Sequence, residues 1–159
     1  IHYSGDFDWS AENDYYLKSM AKVLQIKLRE VLREDLGGTY SVSASAFSSR
    51  YPRQTYRIIV SFGSDPARVD ELVRNVNEQI DSLKTVLADE LYLTKVKESQ
   101  IRAREKNEKE NNFWLNKLEG YYFHGWDPRD IIRYEELFVS GLNREIIRAT
   151  AEKYFDKKT

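Results

Sequence analysis

A chain of 159 residues is the right size for one domain with a respectable core, and too short for two full ones. Its charged residues, 32% of the total, nearly cancel to a formal net charge of −1, so no broad cationic field draws it to nucleic acid or to an anionic membrane. Without cysteine it can form no disulfide, thiolate nucleophile or thiolate metal site, and no window comes near the roughly 18 to 20 apolar residues that a membrane span needs.

The first residues, Ile1-His2-Tyr3-Ser4-Gly5, read as the end of a strand, with no initiator methionine and no basic-then-apolar leader. The expectation is therefore a single domain over residues 1–159 that belongs to something longer, with periplasm and cytosol equally open. Asp8 and Ser10 are candidate caps for a helix whose apolar positions Leu17, Met20, Ala21, Leu24, Leu28, Val31 and Leu32 keep the three-and-four spacing of one buried stripe. Gly37-Gly38 offers positions where a positive φ costs little, which ends the helix and permits a tight turn.

Next, Tyr40, Val42, Ala44 and Ala46 alternate with Thr39, Ser41, Ser43 and Ser45, the period-two mark of a strand with two different faces. The small serines suggest a face that something approaches closely. Residues 48–53 form a proline-containing loop, and Tyr56, Ile58, Val60 and Phe62 alternate in a second strand that should pair antiparallel with the first. Ser64-Asp65-Pro66 caps a helix with Val69, Leu72, Val73, Val76, Ile80 and Leu83 on its buried side.

Asp89 or a neighbour opens another helix through Leu91, Leu93, Val96 and Ile101, and its charged continuation over 102–112 reads as a solvated face with opposite charges a turn apart. In the stretch Phe113-Trp114-Leu115, Leu118 and Tyr121-Tyr122-Phe123, the helical spacing argues for core packing. After Trp126-Asp127-Pro128, a short helical piece over Ile131, Ile132, Leu137 and Phe138 precedes Ser140-Gly141. Asn143 then caps a last helix, with Leu142 and Ile147 placed as a hydrophobic staple. The order, strands first and helices after, gives an α+β domain: an antiparallel sheet with helices packed on one face.

Few residues here could build a complete catalytic site. His2 and His124 lack a partner at zinc-pair spacing, no phosphate-cradling glycine loop is present, and Ser41, Ser43 and Ser45 have no nearby histidine as a base. What stands out is Leu32-Arg33-Glu34-Asp35-Leu36-Gly37-Gly38-Thr39-Tyr40-Ser41-Val42, which sets a fixed cation and a phenol at one helix-to-strand junction. An arginine fork can hold backbone carbonyls of a bound peptide, and a phenol can donate to an oxyanion forming at a scissile carbonyl. The same residues could equally serve structure, with Arg33 in an ion pair or on the helix C-terminal carbonyls and the Tyr40 ring in the core.

This junction resembles the arginine and tyrosine pair in the C-terminal half of the pitrilysin-type (M16) zinc metallopeptidases, which sit at the same spacing. The order of elements is also similar to the fourth domain of that family: helix, Leu-Arg-Glu, glycine turn, Tyr-Ser-Val strand, second strand, capped helix, charged helix, Asn-Asn-Phe-Trp-Leu and closing helix. The resemblance implies two halves enclosing a chamber, a His-x-x-Glu-His zinc site in the N-terminal domain of the parent protein, and a peptide or unfolded polypeptide as substrate. Arg33 would then bind the substrate main chain, and Tyr40 would bind it too and stabilise the tetrahedral intermediate.

This chain has no His-x-x-Glu-His, so the resemblance implies no zinc site of its own and no activity as an isolated segment. Its expected partners are the N-terminal half of the parent chain or a catalytic partner subunit. Two other readings remain: a non-catalytic subunit of the same family that binds peptides or pairs with a catalytic chain, and an unrelated interaction domain that uses the charged helix over 102–112.

Overall fold

In the computed structural model, which describes residues 1–35, 37, 39 and 41–155, β1 (His2–Asp6) precedes the long helix α1 (Ala11–Leu28). Ser10 starts this helix: its hydroxyl accepts from the Asn13 N–H at 2.9 Å, satisfying one of the amides a helix start leaves open. Leu17, Met20, Ala21, Leu24 and Leu28 are buried along one stripe, as their spacing predicts. Beyond Leu28 the helix widens into a π turn over Arg29–Asp35, in which Leu32 is still buried and Val31 is half-buried. Gly37 follows with φ +55, the left-handed conformation that favours glycine; Gly38 lies outside the described residues.

The hairpin comes next. Strands β2 (Val42–Ser49) and β3 (Thr55–Phe62) pair antiparallel with Ala44 opposite Val60 and Ala46 opposite Ile58, and β1 pairs with the other side of β3 to give the order β1-β3-β2. Period two sorts the side chains: Val42, Ala44, Ala46, Tyr56, Ile58 and Val60 are buried, while Ser43, Ser45, Arg57 and Ser61 are exposed. On the buried side, α1 lies against β2 and the closing helix α5 (Arg144–Tyr154) against β1. The Tyr56 hydroxyl donates to the Tyr154 carbonyl at 2.9 Å, and the Tyr3 and Phe155 rings meet edge to face at 4.9 Å. Gly5 belongs to this packing, because a Cβ there would stand 3.0 Å from Tyr56 Cε1.

Asp65 caps a tight turn at Pro66–Arg68, accepting from the Ala67 N–H at 2.9 Å, and α2 (Val69–Thr85) follows. Leu72, Val76, Ile80 and Leu83 are buried on it, whereas Val69, expected on the buried stripe, opens the helix on its exposed side. Helix α3 (Glu90–Asn107) starts where Asp89 accepts from the Leu91 N–H at 2.8 Å. Asn143 caps α5 by accepting from the Ile146 N–H at 2.8 Å, and both Leu142 and Ile147 are buried. No helix among the described residues is long and apolar enough to cross a membrane.

The chain divides into two compact units, one of Ile1–Leu93 with Asn143–Thr159 and one of Thr94–Leu142. Within the second, one expectation is qualified and one corrected. First, the charged stretch over 102–112 is solvated as expected except at Arg104 and Glu108, which are half-buried. Helix α3 stops at Asn107, and Arg104 turns inward, 4.5 Å from the Phe113 ring centre and 5.1 Å from that of Tyr134, paired with Glu108 and donating to the Ile131 carbonyl. Second, α4 (Asn111–His124) is not a core helix: Leu115, Leu118, Tyr122 and Phe123 are all exposed, the last at 76%. Its apolar residues go all the way round a single short helix. One side, with Phe113, Trp114 and Tyr121, is half-buried, which leaves the opposite side in water.

Candidate functional site

Arg33 stands on the last turn of the π segment, four residues before Gly37 and eight before Ser41. Its side chain is exposed and makes no ion pair with any described side chain, those of residues 34 and 35 lying outside the description. It lines an open cleft of about 840 Å³ together with Gly37, Thr39, Ser41, Gly63, Ser64, Asp65 and Arg68. The antiparallel register creates this neighbourhood: Val42 faces Phe62, so the residues entering β2 lie beside those leaving β3.

Thr39 ties the two together. Its buried hydroxyl lies 2.6 Å from the Gly63 carbonyl and 2.8 Å from that of Ser41, and it accepts from the Ser41 N–H at 3.2 Å. With one proton to give, it serves one carbonyl at a time, holding the floor of the cleft by a side chain that cannot itself reach out to a ligand.

The cleft is not uniformly cationic. Arg68 is held by Glu71 through two bonds, Nε to Oε2 at 2.9 Å and a terminal nitrogen to Oε1 at 3.2 Å; this pairing raises the arginine and lowers the glutamate from their ordinary pKa values. Asp65 spends one carboxylate oxygen on the cap of the Pro66–Arg68 turn. Arg33 is therefore the cation of the cleft that has no ion-pair partner among the described residues.

Sequence reasoning singled out Arg33 as a candidate and did not foresee that Asp65 and Arg68 share its cleft. The signal was the pairing of the two strands, which brings the turn after β3 to the entrance of β2. Tyr40, the other site residue expected from the sequence, lies outside the described residues. His2 is exposed on β1 and His124 stacks on Trp126 at 4.5 Å, in different units of the chain. Among the described residues no group of three His, Asp or Glu side chains is placed to hold a metal ion.

Residues 2–100 match the family described as "Peptidase M16 inactive domain". The chain is 29% identical over 138 residues to a Haemophilus influenzae protein named "Probable zinc protease PqqL", a match that covers 86% of this chain and 15% of that protein. Among solved structures, the periplasmic protease PqqL from Escherichia coli superposes with a TM-score of 0.79 at 19% identity, covering 97% of this chain and 17% of that one. The ferredoxin protease FusC, solved as a mutant in complex with Arabidopsis ferredoxin, gives 0.75 at 22% identity, with 98% and 17% covered. At these identities the structural likeness shows the fold, and the chain spans about a sixth of the length of such relatives.

Proposed function

Because this chain belongs to the peptidase M16 family, we propose that it is the C-terminal domain of a zinc-dependent endopeptidase, completing the substrate chamber and supplying Arg33 and Tyr40 to it. The observation that carries this reading is Arg33: an exposed guanidinium without an ion-pair partner among the described residues, on an open cleft where a strand begins. Its planar fork of five N–H donors suits the carbonyls of an extended substrate. Tyr40 donates from its phenol to the oxyanion that develops when the scissile carbonyl is attacked, which is worth most in a site that excludes water. Zinc, bound in the N-terminal domain of the parent protein, would supply the activated water, while residues 1–159 supply binding and charge stabilisation. A periplasmic location, that of the Escherichia coli relative, goes with this reading.

The test is chelator-sensitive cleavage of an unstructured peptide by the intact protease, beside its Tyr40→Phe and Arg33→Ala variants. Losing an oxyanion donor lowers kcat by about 100-fold or more, so Tyr40→Phe should fall in that range. Arg33→Ala should act mainly through KM, because it removes binding common to ground state and transition state. Undiminished turnover in both variants sinks the proposal.

A second reading rests on the family description itself, which calls the matched domain inactive. Here the parent is a non-catalytic subunit that binds peptides or pairs with a zinc-bearing chain. It calls for stable co-purification with such a chain, and a monomeric parent carrying its own zinc rules it out.

A further inference from the structure

The uncovered face of the sheet leads from the Arg33 cleft to a second cleft at the far end of the same hairpin. Outward positions on and before β2 run Ser41, Ser43, Ser45, Phe47: three small hydroxyls and then a phenyl ring that is 49% exposed. A large apolar side chain left half in water at the end of such a row gains little from the fold that holds it. Directly across the ladder, Arg57 sets its guanidinium 5.6 Å from the centre of that ring and pairs with no carboxylate among the described residues. Nearby, Arg53 does have one, Asp6 at 3.1 Å. Phe47, Arg53 and Arg57 border a cleft of about 570 Å³ with Thr55 and Ser49.

The two clefts share one strand. From Ser41 to Phe47 is six residues along extended backbone, about 20 Å at roughly 3.3 Å per residue. An extended polypeptide of about the same residue count spans that distance. The row of serines between them has no bulk to hold a ligand's main chain away, and its hydroxyls can donate to or accept from peptide groups.

We infer that this face is a track for an extended polypeptide, and that Phe47 with Arg57 forms a second anchor that takes an aromatic or large aliphatic side chain next to a carboxylate. That anchor engages the polypeptide about six residues along from the part Arg33 holds. The ring selects the apolar side chain by stacking or edge contact, and the guanidinium selects the carboxylate. The Arg33 end of the track rests on the function proposed above, while the Phe47 end stands on its own geometry.

The test is titration of isotopically labelled 159-residue chain, followed by NMR, with unstructured peptides of about 12 residues, long enough to cover the track. One peptide carries Phe-Glu near its end, one Phe-Lys, and one only small neutral residues. The Phe-Glu peptide should shift the amides of β2 and β3 and bind about fivefold or more tightly than the Phe-Lys peptide. Phe47→Ser and Arg57→Gln should each erase that preference, with unchanged thermal midpoints showing that the fold is intact. Equal binding of the three peptides, or equal preference in both variants, overturns the second anchor. If Arg33→Ala binds the long peptide as well as the parent chain does while Phe47→Ser does not, the Phe47 anchor stands and the grip assigned to Arg33 falls.

Discussion

Tyr56 shows how much a single side chain settles in this fold. Its ring packs against Tyr154 at 4.8 Å between centres and lies flush on Gly5, and its hydroxyl donates to the Tyr154 carbonyl inside the protein. Tyr56→Phe keeps the ring and strips the donor from a buried carbonyl, so it should cost about 1 to 2 kcal/mol in urea unfolding of the chain. An unchanged midpoint would mean the hydroxyl contributes nothing net. At this scale the sequence was most legible where chemistry is local: Ser10, Asp65 and Asn143 all cap as their positions predict, each bonding an amide two or three residues on. Arg104 was illegible for the opposite reason. In sequence it sits among charges, and its aromatic neighbours Phe113 and Tyr134 are 9 and 30 residues away.

At the scale of elements, periodicity predicted α1, α2, β2 and β3 well, because each has one buried face and one wet one. Helix α4 defeated the same logic. Period alone cannot say which side of a helix with apolar residues all round finds a neighbour, and the structure leaves Leu115, Leu118 and Tyr122 outside. The contrast is measurable. Leu24→Ala, at a fully buried position of α1, should cost about 2 to 5 kcal/mol. Leu115→Gln, at a position 64% exposed, should stay within about 0.5 kcal/mol. A large loss at Leu115, read from denaturant midpoints, would show that its side chain is covered in solution. The candidate site divided in the same way. Arg33 could be picked out from the helix-to-strand junction, but its neighbours Asp65 and Arg68 depend on strand pairing, and no run of sequence states a register.

For the whole molecule, charge balance sets the response to acid. At neutral pH the 25 Lys and Arg are offset by 26 Asp and Glu. Several of these carboxylates are held below their ordinary range: Asp127 at about 2 by hydrogen bonds from the Arg129 side chain and backbone, Glu71 by Arg68 and Glu136 by Arg133. A carboxylate with a lower pKa folded than unfolded adds stability that is full above the unfolded value, near 4, and is lost as pH falls towards the folded one. These three sit in water, so each adds little, and the larger effect is the positive charge left unopposed as all the carboxylates protonate. The urea midpoint should therefore hold steady from pH 7 to about 5 and fall progressively below about 4. A midpoint that rises on acidification would contradict this assignment of pairs.

The sheet has one more consequence, and it concerns inheritance. On β2 and β3 the even-numbered residues, Val42, Ala44, Ala46, Tyr56, Ile58 and Val60, face the interior, while the odd-numbered Ser43, Ser45, Phe47, Arg57 and Ser61 face outward. Exchanges at outward positions of this kind usually cost little stability, so they are open to drift in a way their neighbours are not. A lineage can thus revise what the hairpin grips one codon at a time, without disturbing what keeps it folded.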